Sequence, residues 1–160
     1  MGANDYEVIK SPGENREYRA EDWDTGGETS VLLPGEPVKV GGTGNNFATV
    51  LATGDPEAGT DEFIGVVSRQ GTHTSSADGV VEVTTCVPSM TVLRAAATTV
   101  GSVDTAAELN GILGDWVAGD VTAVAGTNGT FTIDEDEASD PNVHGFKIIA
   151  GNIDTGNLDF

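Results

Sequence analysis

Residues 35–97 read GEPVKVGGTGNNFATVLATGDPEAGTDEFIGVVSRQGTHTSSADGVVEVTTCVPSMTVLRAAA. Short runs rich in valine and threonine (Pro37–Val40, Phe47–Thr53, Phe63–Ser68, Val80–Val87, Thr91–Arg94) alternate with clusters of Gly, Asn, Asp, Pro and Ser. That is the pattern of strands joined by turns. Phe63–Val67 is small or apolar on both faces around Gly65, which predicts a strand deep in the sheet with room for close packing or a bulge. In Val80–Val87, Val81, Val83, Thr85 and Val87 alternate with Glu82, Thr84 and Cys86, the period of a half-buried strand. Arg94, alone in an apolar run, calls for a carboxylate partner, an edge position or a subunit contact. No pair or triad of reactive side chains recurs here at a spacing that chemistry needs. The stretch reads as a β scaffold built to bind and not to react.

Towards the C-terminus, Thr105 and Glu108 form a capping box supported by Asp104. Leu109, Ile112 and Leu113 make the apolar face of the helix that follows, and Gly114 stops it. Strands are expected over 116–124 and 129–133, with one continuous strand over Gly145–Gly151 and a turn plus edge strand over Asn152–Phe160. Towards the N-terminus the pattern fades. Residues 1–30 are polar, broken by Pro12–Gly13 and Gly26–Gly27, and without a sustained period. They read as an extended arm, with Tyr6, Val8, Ile9, Tyr18 and Trp23 as the residues expected to dock on a partner. The expected architecture is mainly β: a compact barrel or sandwich-like domain over 31–160 with one short helix, preceded by an extended N-terminal arm over 1–30.

With 160 residues, one core is the natural number. Seven Lys and Arg stand against 26 Asp and Glu, a formal charge of −19, which repels phosphate backbones and anionic membranes. Neither direct nucleic-acid binding nor membrane docking is expected. Such acidity suits a surface kept soluble by charge, or one adapted to concentrated salt, where screening shortens the reach of repulsion. Cys86 is the single cysteine; in an apolar strand pattern it reads as a small buried hydrophobe. The first apolar cluster is only Val8–Ile9, so no signal peptide is expected, and synthesis in a host cytoplasm follows.

Features that suggest chemistry each have a plainer reading. The glycines of Gly41–Asn46 lack the lysine and the helix of a phosphate-binding loop. His73, Ser75, Ser76 and Asp78 are triad residue types crowded into one loop, whereas a working triad spans separate elements. Asp134, Asp136, Glu137 and Asp140 are carboxylates near one another in sequence and the candidates for a divalent ion, but they do not match the EF-hand pattern. His144 has no second ligand nearby in sequence, and the Asn128–Thr130 sequon has no secretion signal behind it. No catalytic residues, cofactor or metal are expected, and the chain is not expected to be an enzyme.

The order of elements, with the segment Thr105–Asp115 leading into Trp116–Val121, the run His144–Ile149 and the ending Asp154–Phe160, resembles the head decoration, or capsid cement, proteins of tailed double-stranded DNA viruses. The acidic bias is more similar to viruses of halophilic archaea. The resemblance implies a virion structural protein on the capsid exterior. It would add as a homotrimer at local three-fold positions, bridge subunits of the major capsid protein and stabilise the mature shell. The alternative reading is a head-fibre or tail component, or a carbohydrate-binding β module on a virion surface.

Overall fold

The computed structural model describes residues 6–20, 32–41, 47–51, 53–54, 56, 62–70, 79–122, 130–136 and 138–160. In chain order the strands are β1 (Glu7–Lys10), β2 (Asn15–Ala20), β3 (Pro37–Gly41), β4 (Phe47–Val50), β5 (Phe63–Arg69), β6 (Gly79–Thr85) and β7 (Val92–Ala96). The helix α1 (Ala106–Ile112) follows. Then come β8 (Trp116–Val117), β9 (Gly119–Thr122), β10 (Thr130–Ile133), β11 (Phe146–Lys147), β12 (Ala150–Asn152) and β13 (Asn157–Asp159). The structure is mainly β with a single short helix.

Five strands close a barrel in the order β2-β4-β3-β5-β6. Its entry is a tight turn at Leu33–Glu36: Pro34 presets the second position, Gly35 takes φ 100°, and the Glu36 amide donates to Leu33 O at 3.2 Å. Pro followed by Gly is the composition that a type II turn requires. The Glu36 carboxylate is buried and accepts from the Leu33 amide at 2.8 Å, locking the same turn. Inside the barrel Leu32, Val38, Ile64, Val67, Val81 and Val83 form one apolar core with Tyr18 and Val40 packed on it.

A second, larger core lies beneath the antiparallel sheet β1-β7-β13-β12 and the ribbons β9-β10 and β8-β11. Strand β5 serves both. Ile64 and Val67 enter the barrel core while Val66 enters the larger one, although strict alternation separates residues three apart. Irregularities opposite Val38/Lys39 and between Val67 and Arg69 break the alternation, as β-bulges do. Gly65 permits this crowding, because a Cβ there would stand 2.1 Å from Thr84 O.

The helix forms as its sequence dictates: the Thr105 hydroxyl accepts from the Glu108 amide, and the Glu108 carboxylate accepts from the Thr105 amide. Its apolar face is narrower than expected. Leu109 and Ile112 pack on the larger core, but Leu113 is the C-cap, has left helical geometry and is exposed. Gly114 follows at φ 95° and ends the helix.

Two further expectations are corrected. The run 145–151 is not one strand: Ile148 drops fully into the core and bonds to the loop after the helix, its amide donating to Asp115 O at 2.9 Å. Strands β11 and β12 therefore belong to different sheets. The last strand, β13, is not at an edge but between β7 and β12. Within residues 1–30, residues 7–10 and 15–20 pair with the body. Strand β1 lies on β7, and β2 closes the barrel, antiparallel to β6 and parallel to β4. Its outward residues are Asn15, Arg16 and Glu17, so pairing rests on backbone hydrogen bonds that no apolar period announces.

Candidate binding groove

Of the five residues expected to meet a partner, Tyr6 is buried in the larger core, and its hydroxyl donates to Thr132 O at 3.2 Å. Burial pushes the phenol well above its ordinary pKa. Tyr6 stacks edge-on with Phe160 at 5.1 Å and with Phe146 at 5.9 Å, so it is occupied internally. Val8 is half-buried against the same core, Tyr18 packs on the barrel core, and Ile9 is exposed. Trp23 lies outside the described residues, as do His73, Ser75, Ser76 and Asp78 of the polar loop, most of the Gly41–Asn46 turn, and Glu137 of the acidic cluster.

The rest of the acidic cluster does not converge. Asp140 bonds within its own turn, accepting from the Asn142 amide at 2.8 Å and from its Nδ2 at 3.0 Å. Those bonds hold its carboxyl below the usual range. Asp134 is half-buried, Asp136 is exposed, and among the described residues no group of three His, Cys, Asp or Glu comes together for a metal. The carboxylate the fold uses is Glu135. It is buried and spans two backbone amides, Thr98 and Thr99, each at 2.9 Å. Burial raises its pKa and those bonds oppose the rise.

A half-open groove of ≈ 750 Å³ lies where one end of the barrel meets the antiparallel sheet. Its floor is aromatic: Phe63 meets Phe146 at 5.1 Å and Phe146 meets Phe160 at 4.9 Å. Met90 and Ile149 stand on its rim at 56% and 53% exposure. An open apolar surface of this kind marks a contact site more often than scattered exposed residues do. Cys86 lines it too. Burial pushes the thiol up to about 12, with a bond to Thr91 working against the rise, so its thiolate is scarce and it serves as an apolar wall.

The groove carries charge of the sign that is scarce in this chain. Among the described lining residues, Lys10 and Lys147, two of the three lysines, stand with one carboxylate, Glu62. The Lys147 ammonium sits 5.7 Å from the Trp116 ring centre, within the reach of a cation–π contact. One wall is held by short polar bonds. Ser11 Oγ bonds to Thr85 O at 2.8 Å and to Thr91 Oγ1 at 3.1 Å, and the Val87 amide donates to Thr91 Oγ1 at 2.7 Å. The turn Val87–Met90 that carries the rim is thereby fixed before any partner arrives.

The sequence pointed to the arm and not to this groove, because its lining comes from strands far apart in the chain. The one local signal was the Pro88–Met90 punctuation after β6. A closed five-stranded barrel abuts an antiparallel sheet, with an apolar groove at their junction. Set beside known proteins, the chain matches no family model, no curated sequence and no solved structure.

Proposed function

We propose that the chain is a structural binding protein of a virion: a head decoration protein that associates with the outside of an icosahedral shell, as a homotrimer bridging major capsid protein subunits. The observation that supports this reading is the preformed groove with exposed Met90 and Ile149 on its rim, a surface suited to holding a protein segment. A protein that binds the expanded shell and not its precursor stabilises the expanded state by mass action. Several copies engaging one site multiply weak contacts.

The test is co-sedimentation of the purified protein with shells assembled from the major capsid protein of the same genome, before and after expansion. Saturable binding to expanded shells, with a raised shell melting temperature, is the expected result. Failure to bind expanded shells at any salt concentration overturns the reading. Binding to immobilised glycans in its place favours the carbohydrate module.

A further inference from the structure

The groove gathers cations that the fold leaves without a carboxylate. Arg69 and Arg94 each pair with one. Among the described residues neither Lys10 nor Lys147 does, although the chain carries 26 acids. Both lysines are exposed and both line the groove. Two features of the fold place Lys147. It stands opposite Trp116 in the β8–β11 pair, which sets its ammonium over the indole. Its neighbour Ile148 drops into the core, so Lys147 and Ile149 on either side of it both turn outward into the groove lining. A cation and a bulky exposed aliphatic side chain thus stand together over the aromatic floor of Phe63, Phe146 and Phe160.

We propose that the groove holds an extended segment of a partner protein, with bulky apolar side chains on the aromatic floor and a single neighbouring carboxylate against Lys10 and Lys147. This names the chemistry of the partner in the decoration reading, and rests on that reading only for the partner's being a shell subunit.

Shape and charge select this occupant. A small-molecule site encloses most of its ligand, whereas this groove is half-open and suits side chains that project from a larger body. The floor and the exposed rim residues Met90 and Ile149 give apolar side chains a surface to cover. Unpaired ammonium groups beside that surface favour a carboxylate. The net charge of −19 repels an occupant that carries many acids before it arrives, so the site rewards one carboxylate in an otherwise neutral segment. The same charge disfavours a second copy, which brings another −19 with it. The wall is also set in advance: Thr91 Oγ1 holds the Val87 amide at 2.7 Å and Ser11 Oγ at 3.1 Å, so little ordering of the rim opposes binding.

The probe is the synthetic peptide acetyl-Gly-Asp-Phe-Leu-Gly-amide, titrated into isotopically labelled protein and followed by amide NMR shifts, beside versions in which Asn or Lys replaces the Asp. Saturable shifts centred on Val87–Leu93, Phe146–Ile149 and the Trp116 indole are expected, with affinity falling from the Asp to the Asn to the Lys peptide. Lys10→Gln and Lys147→Gln, exposed positions checked for native circular dichroism, are each expected to weaken the Asp peptide about threefold to fivefold, the scale of an exposed charge pair, and to leave the Lys peptide no weaker. Arg16→Gln removes the same charge from an exposed site outside the groove lining and is expected to change nothing. Ile149→Ser is expected to weaken all three peptides alike. Absence of saturable shifts in the groove, or an affinity indifferent to the charge of the peptide and to both lysines, overturns the proposal. So does an oligomer in sedimentation that the Lys10→Gln/Lys147→Gln double variant dissolves, which would give the groove to a second copy. Shell binding is a separate readout. Peptide binding without binding to expanded shells removes the decoration reading and leaves the groove assignment standing, whereas shell binding that the double variant leaves unchanged does the reverse.

Discussion

Arg94 Nε and Nη2 donate to the two carboxylate oxygens of Asp159 at 2.7 and 3.0 Å, directly across the β7–β13 pair. On its other side Arg94 lies opposite Glu7 of β1. One guanidinium thus faces carboxylates from both flanking strands, and the Asp159 bond, chiefly, raises its pKa further. The arginine that looked out of place in an apolar run is the tie between the first strand and the last. Planarity matters for such a two-pronged bond. Arg94→Lys is expected to lose most of the pair's contribution, which for a partly exposed pair is about 1 kcal/mol at most. Urea unfolding checks it: Arg94→Lys and Asp159→Asn should shift the midpoint by similar amounts, and the double variant by less than their sum.

The groove rim stores strain at one residue. Ser89 adopts φ 63°, the left-handed region, in the turn closed by the Met90 amide donating to Val87 O at 3.0 Å. Pro88 precedes it, so Ser89 occupies the place where a type II turn prefers Gly or Asn. Left-handed geometry costs an L-residue roughly 1–2 kcal/mol, and Asn tolerates it better. Ser89→Asn is expected to raise the unfolding free energy by about 0.5 kcal/mol, read as a higher melting temperature. No rise, with the turn retained, would count against strain at this position.

Glu135 joins β10 to the chain after β7 by holding the Thr98 and Thr99 amides. In Glu135→Gln one acceptor oxygen becomes an NH2 group facing an amide donor, and leaving a buried donor unpaired costs about 1–3 kcal/mol. The pH dependence has a definite sign. Its folded pKa is raised, chiefly by burial, so the folded state holds this proton more tightly than the unfolded chain. Stability from this group is then greatest below the ordinary carboxyl range and falls as pH rises towards the raised value. The gap between wild type and Glu135→Gln is expected to narrow over that window in urea unfolding at a series of pH values.

Local signals carried the parts of the fold that local forces decide. The capping box at Thr105 and the alternation through Val81 and Val83 were legible because a hydrogen bond and a burial period each leave a residue-level trace. The first strands left none: β2 shows only Tyr18 to the barrel core, and its other described side chains face water. Ile148 was misread for the opposite reason. An apolar run does not reveal that its middle residue turns into the core and breaks the strand. The groove was invisible because Lys10, Phe63, Met90 and Lys147 meet only after folding. With β1 and β2 in the body, deleting residues 2–28 would remove a barrel strand, so lost shell binding in such a variant would report unfolding.

Net charge supplies the remaining prediction. With 26 acids against seven bases, described ion pairs such as Arg69–Glu82 and Arg94–Asp159 engage two of the four arginines. Seven bases cannot neutralise 26 acids, and folding brings like charges closer together than in the unfolded chain. Raising ionic strength from about 0.1 to 1 M shortens the screening length from about 10 to 3 Å, which relieves this repulsion more than it weakens the few attractive pairs. The melting temperature is expected to climb steadily from low to molar sodium chloride, and to climb equally in potassium chloride if screening is the cause. A flat profile would mean that the acids are spaced widely enough to be harmless, leaving solubility as the reason for the charge and removing the case for adaptation to salt.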